Sequence, residues 1–199
     1  MHAASDALPL WFKLAYTLFL AAIVPAYWVK NGPQNFLWFS DIALLVTGAA
    51  LWLESSLLAS AMAVGVFLPE ALWNVSYFGR LLTGARISTL ADYMFDGRKS
   101  RFMRALSLLL HVVMPASLIW MLSLLGYDSR ALAVQTALAW VVLPVTYLVT
   151  DRARNINWVF GLGHPPRTRL SPKLHLLALM LAFPVGVYLP THLALRAIF

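Results

Sequence analysis

Polar positions divide the chain into apolar stretches of roughly membrane-spanning length. Six can be drawn, at about 9–29, 37–53, 57–79, 105–126, 131–150 and 174–197. Each is near the ~20 residues with which a helix rising ~1.5 Å per residue crosses ~30 Å of hydrocarbon. Only Glu54, Ser55 and Ser56 separate the second stretch from the third. That spacing predicts a tight helical hairpin with Glu54 at its water-facing tip, or alternatively one long tilted or re-entrant unit. No Ser/Gly-rich linker and no internal repeat interrupts the pattern. The expectation is one all-α domain over 1–199, a polytopic transmembrane helical bundle of about six spans.

Composition strengthens this picture. Charged residues make up 12% of the chain and hydrophobic ones 61%, against about 25% charged in a soluble domain. So little polar surface leaves lipid to cover the outside. The net charge of +7 does not imply nucleic acid, because it sits in connectors beside apolar stretches. Lys30 lies in the first such connector. Arg80, Arg86, Arg98, Lys99, Arg101 and Arg104 lie in another, and Arg152, Arg154, Arg167, Arg169 and Lys173 in a third. Only Lys13, Arg130 and Arg196 fall elsewhere. With six crossings the three basic connectors share one side, which the positive-inside bias makes cytoplasmic, with both termini outside. Trp11, Trp28, Trp38 and Trp52 fall near the ends of the first two stretches, as an interfacial aromatic belt requires. Lys13 interrupts the start of the first stretch and no basic residue precedes it, so that stretch reads as a retained span rather than a cleaved leader. The chain has no cysteine, which removes disulfides, thiolate metal sites and cysteine nucleophiles.

The long basic connector has a pattern of its own. Ser88 or Thr89 can cap a short surface helix with Asp92 in its first turn. Leu90, Tyr93 and Met94 give that helix an apolar stripe, which Gly97 ends. Arg98, Lys99, Arg101 and Arg104 then lie against the membrane, where they set topology or bind anionic lipid.

Polar groups inside the spans need a reason, since a charge in hydrocarbon costs ~2.5–3.5 kcal/mol on insertion scales. Asp41, Glu70 and His111 all fall in the cytoplasmic half. Asn74 and Tyr77 continue the face of Glu70 at i+4 and i+7. Tyr147 and Asp151 share a face at the end of the fifth stretch, and Asn155 and Asn157 follow. These positions predict a polar pocket open to the cytoplasm, or a hydrogen-bonded knot that fixes helix packing. Pro25, Pro69, Pro115, Pro144 and Pro184 each free a carbonyl about one turn earlier, and for Pro115 that carbonyl is His111's. On the outer side, Glu54 can pair with His192.

Acid–base chemistry is the reaction most readily drawn from this set. His111 would act as base, Asp41 or Glu70 would orient it, and a hydroxyl or water would be the nucleophile. Asn35, Asn155 and Asn157 would donate to an oxyanion or phosphate, and Arg152 and Arg154 would hold a lipid head group. Asn74, Tyr77, Tyr147 and Asp151 would line the substrate. Asp41, Glu70 and His111 also resemble a carboxylate-rich metal set, but no HExxH-type motif accompanies them. No metal and no cofactor is therefore expected; His111 and His192 sit in opposite halves, which disfavours haem. Buried carboxylates on broken helices also suit a proton-coupled transporter, and a non-catalytic subunit or scaffold is the third reading. Membrane lipids are the expected partners, with a homo-oligomer or a larger membrane complex as further options.

Three stretches carry a family resemblance: Gly32-Pro33-Gln34-Asn35-Phe36-Leu37-Trp38-Phe39-Ser40-Asp41, Asn155-Ile156-Asn157-Trp158-Val159-Phe160-Gly161, and Leu189-Pro190-Thr191-His192. Together they resemble a family of uncharacterised bacterial integral membrane proteins. That resemblance implies a multi-pass protein of the bacterial cytoplasmic (inner) membrane and no particular activity. More remotely, the layout resembles the YwaF-like membrane family, which includes phospholipid acyltransferases. An early polar hairpin, a mid-chain histidine helix and a late Asn-aromatic stretch carry the likeness. Ser40-Asp41 stands where that family often has a cysteine-containing motif, and His111 matches its mid-chain histidine. This chain lacks cysteine and has six stretches rather than seven, so the resemblance tilts the reaction class toward lipids without assigning a reaction.

Overall fold

Six helices form in the order that the apolar stretches set. The computed structural model describes residues 7–97, 100–163 and 165–199. The helices are α1 Leu10–Asn31, α2 Phe39–Leu53, α3 Ser56–Thr83, α4 Arg101–Leu125, α5 Ala131–Val149 and α6 Pro172–Ile198. All but α2 are long and apolar enough to cross a membrane, as an integral membrane protein requires. The second stretch does not begin its helix at 37: a 3₁₀ turn, Pro33–Leu37, precedes α2 and leaves it 15 residues long. Conversely, α3 runs past 79 to Thr83, and α4 begins at Arg101 rather than 105. Side-chain caps explain two starts, with Ser55 Oγ accepting from Leu58 N at 3.3 Å and Ser100 Oγ from Met103 N at 3.2 Å.

α3 is the central helix, packing against α2, α4, α5 and the C-terminal half of α6. Its buried residues include Ala59, Ser60, Ala61, Ala63 and Gly65, small side chains that let neighbouring backbones approach. At Gly65 the approach is closest, since a Cβ there would lie 2.4 Å from Nε2 of the buried Gln135 on α5. Leucine and valine side chains such as Leu18, Val141, Leu148 and Leu181 remain on the outer faces of the helices. A distributed apolar exterior of this kind suits lipid as the surrounding solvent.

Freed carbonyls find side-chain partners. Pro184 lies at the head of a π segment, Pro184–Tyr188, inside α6. It leaves the Met180 carbonyl without its helical donor, and Trp140 Nε1 of α5 donates to that oxygen at 2.9 Å.

The long basic connector departs from the expected surface helix. It makes a single 3₁₀ turn, Asp92–Phe95. Ser88 Oγ accepts from Leu90 N at 3.2 Å, which is a local turn and not a helix cap. The Asp92 carboxylate is instead held by Arg80 at 2.7 Å and by Arg86, and Ser88 meets Ser76 of α3 at 2.6 Å. These contacts fold the segment back onto α3. Ala91 and Met94 are then buried with Trp73 in a small second apolar cluster. Arg98, Lys99 and His164 lie outside the described residues.

At the opposite end, Glu54 and His192 do not pair. Glu54 takes the left-handed conformation at the α2–α3 tip, with φ 47°. It binds Lys13 Nζ at 2.8 Å and accepts from the backbone amides of Ala7 and Leu8 at 2.9 and 3.1 Å. The tip sits over the start of α1, which places the nearer cation there. His192 is held instead by the Tyr127 hydroxyl at 2.6 Å.

Candidate functional site

Glu70 on α3 and His111 on α4 face each other at the arginine-rich end of the bundle. Glu70 Oε2 is 2.6 Å from His111 Nδ1, with both side chains largely shielded from solvent. On its other side His111 Nε2 meets the Tyr93 hydroxyl at 3.0 Å, and that hydroxyl meets Ser107 Oγ at 2.8 Å. Trp73 stacks on the imidazole, with ring centroids 4.0 Å apart and 20° between planes. With Glu70 as carboxylate, Nδ1–H donates to it and Nε2 is left to accept from Tyr93. The chain Ser107–Tyr93–His111–Glu70 is then consistently oriented for moving a proton.

The backbone beneath this chain is locked by Asn74. Its Nδ2 donates to the Glu70 carbonyl at 2.9 Å and to the His111 carbonyl at 2.8 Å. Pro115 frees that second carbonyl, so Asn74 replaces a missing helical bond and ties α3 to α4 at the level of the imidazole.

Asp41 lies near this chain without joining it. Its Oδ2 accepts from Asn35 Nδ2 at 3.1 Å, and its Oδ1 has no hydrogen-bond partner among the described residues. The residue is buried at the start of α2. Electrostatic interaction links it to Glu70 and to Tyr27 of α1, and Tyr27 sits beside Ser107. Asp41, Glu70 and His111 do not converge as a metal set; among the described residues no three His, Asp or Glu side chains do. Orientation of His111 falls to Glu70 rather than Asp41.

The remaining predicted residues divide into two places. Tyr77 stacks on Trp73, at 5.2 Å and 14°. Tyr147, Asp151, Asn155, Asn157, Arg152 and Arg154 lie at the end of α5 and in the connector beyond it, away from His111. Tyr147 packs on Phe160, and Asp151 and Arg152 are exposed. Arg154 donates to the Asn31 carbonyl at 2.7 Å and so closes the end of α1. Asn155, with φ 44°, accepts from Phe160 N and donates to the carbonyls of Gly161 and Gly163. Asn157, with φ 50°, accepts from Phe39 N and donates to the Leu37 carbonyl, pinning the start of α2. Both amides are committed to backbone, which is the role of an architectural asparagine.

Tyr93, Ser107 and Trp73 belong to the site, and the sequence pattern alone did not single them out. Tyr93 reads as part of an apolar stripe, because nothing local shows that its segment turns inward. The available signal was Asp92, 12 residues after Arg80 and 6 after Arg86, a charge arrangement able to fold the connector back. No protein-family model, no curated protein and no solved structure matches this chain.

Proposed function

We propose that this integral membrane protein is a lipid-modifying enzyme whose base is His111. The observation that carries the reading is the double engagement of the imidazole, with Glu70 on Nδ1 and the Tyr93 hydroxyl on Nε2, within an apolar bundle. In the step it supports, the Tyr93 hydroxyl passes its proton to Nε2 and takes the proton of a hydroxyl or water while that oxygen bonds to the acyl carbon of a lipid ester. The acyl C–O bond breaks, and the proton passes to the departing alcohol oxygen. Glu70 holds the imidazolium between the two transfers, and Tyr93 relays the proton to and from it. The layout likeness to the YwaF-like family points to the same class. The arginine-rich end is read as cytoplasmic in a bacterial inner membrane, with α2 counted as a sixth span and both termini outside.

His111→Gln, Glu70→Gln and Tyr93→Phe are expected to stay folded in membranes. Each is expected to lower lipid turnover by ~10²–10⁴ for loss of base catalysis, or somewhat less for the relay. Lipid profiles of cells with and without the gene, set beside melting curves of the purified variants, check this. Unchanged profiles, or variants that lose only stability at ~0.5–1.5 kcal/mol per hydrogen bond, would make the chain a packing device.

Asp41 supports the second reading. A buried carboxyl with one free oxygen, interacting with Glu70, suits a proton-coupled carrier. Substrate uptake that collapses with the pH gradient and is abolished in Asp41→Asn would favour it.

A further inference from the structure

Beside the Glu70–His111–Tyr93 chain lies a hollow of about 260 Å³, lined by Tyr77, Met94, Arg101, Arg104, Ala105 and Leu108. We propose that it holds the phosphate of a membrane phospholipid, with Arg101 and Arg104 as its cationic partners. The proposal rests on the lipid-enzyme reading above and names the substrate class for that site.

Charge bookkeeping within the connector separates these two arginines from their neighbours. Arg80 and Arg86 are committed to Asp92. Arg101 and Arg104 have no acidic partner among the described residues; Arg104 makes only a long contact of 3.4 Å to the Met94 carbonyl. Two uncompensated guanidinium groups at the start of an apolar helix match a phosphodiester, which accepts paired N–H donors. The rest of the lining is apolar or aromatic, as the glycerol and upper acyl chain require.

Position then links the hollow to the chemistry. Arg104 and His111 are seven residues apart on α4, so they share a face and are separated by about 10 Å along the axis. Leu108 lies between them on that face. Tyr77, another wall of the hollow, stacks on Trp73, which stacks on the imidazole. A lipid with its phosphate on Arg101 and Arg104 would extend its ester linkages down α4 toward His111. The Asp92–Phe95 turn carries both Met94 of the hollow and Tyr93 of the proton chain and so joins the two.

The test uses the full chain, purified and stripped of lipid in nonionic detergent, with dioctanoylphosphatidylglycerol titrated calorimetrically. Arg101→Gln is expected to weaken binding about fivefold, and Arg101→Gln with Arg104→Gln about twenty-five-fold, at one surface-charge interaction per arginine. Dioctanoylglycerol, which lacks the phosphate, and inorganic phosphate alone are expected to bind far more weakly than the lipid. Unchanged affinity in Arg101→Gln overturns the site, and because Arg101 is exposed, that variant decides the matter even if the double variant does not fold. Loss of affinity in Arg152→Gln instead would move the head group to the other connector and also overturn it. Phosphate binding as tightly as the lipid would make this an ion site. His111→Gln is expected to bind lipid with wild-type affinity, so failure here and failure of the catalytic reading are separately visible.

Discussion

Asn74 has a single amide nitrogen and uses it on two carbonyls, Glu70's in its own helix and His111's in the next. The second carbonyl is open only because Pro115 stands four residues later. Replacing Asn74 with Ala leaves that oxygen buried without a donor, at a cost of about 1–3 kcal/mol. The expected outcome is a lower melting temperature for Asn74→Ala in detergent, with faster hydrogen exchange around His111; an unchanged melt would sink this account. Much of this cluster is legible from single residues. Glu70, Asn74 and His111 are polar groups at membrane depth, and the i, i+4 spacing and the proline rule connect them. Tyr93 is not legible in that way. A tyrosine in a connector is ordinary by itself, and its role appears only once Asp92, Arg80 and Arg86 have turned the segment inward. Asn155 and Asn157 mislead in the opposite direction, because an amide near a membrane end looks the same whether it meets a ligand or, as here, the backbone of a turn.

Among the elements, the α2–α3 hairpin is joined by two residues, Glu54 and Ser55, the first in a conformation that favours glycine. What holds it there is electrostatic. The Lys13 side chain, then the Ala7 and Leu8 amides, hold the Glu54 carboxyl down at about 2, below its ordinary 4.5. A carboxyl depressed in the folded state stabilises the fold above its unfolded value and loses that contribution as pH falls through the folded one. The hairpin's anchorage to α1 is therefore expected to be constant near neutrality and to weaken between about 4.5 and about 2. Exchange protection of the first turns of α1, followed across that window, checks it; Glu54→Gln should show no such acid step. The helices themselves were readable from apolar run length because a membrane crossing demands a long apolar run, which all of them but α2 supply. The partner of Glu54 was not, since the distance from the tip to Lys13 depends on how α1 leans on α2.

For the whole molecule, the positive-inside asymmetry predicts a sidedness that an otherwise cysteine-free chain allows to be tested one thiol at a time. Gly97, Ala153 and Ser129 are exposed. Cysteines at Gly97 and Ala153 are expected to be shielded from an impermeant thiol reagent added to intact cells, and one at Ser129 to react. Labelling of Gly97→Cys from outside would invert the topology and place the Glu70–His111 end in the opposite compartment. The 15-residue length of α2 has a consequence for the surrounding bilayer. At ~1.5 Å per residue it measures about 22 Å, against ~30 Å of hydrocarbon, so as a span it is mismatched by about 8 Å. Where α2 crosses as a span, lipid beside it would thin to meet it, drawing head groups and water inward along the Asp41 end of α2 at a cost of a fraction of a kcal/mol per Å. The protein should accordingly melt higher in nanodiscs of dimyristoleoyl lipid than in longer dioleoyl lipid, and equal melting in both would mean that α2 does not bridge the two leaflets. In a cell, the same mismatch would sort the protein toward thinner patches of membrane.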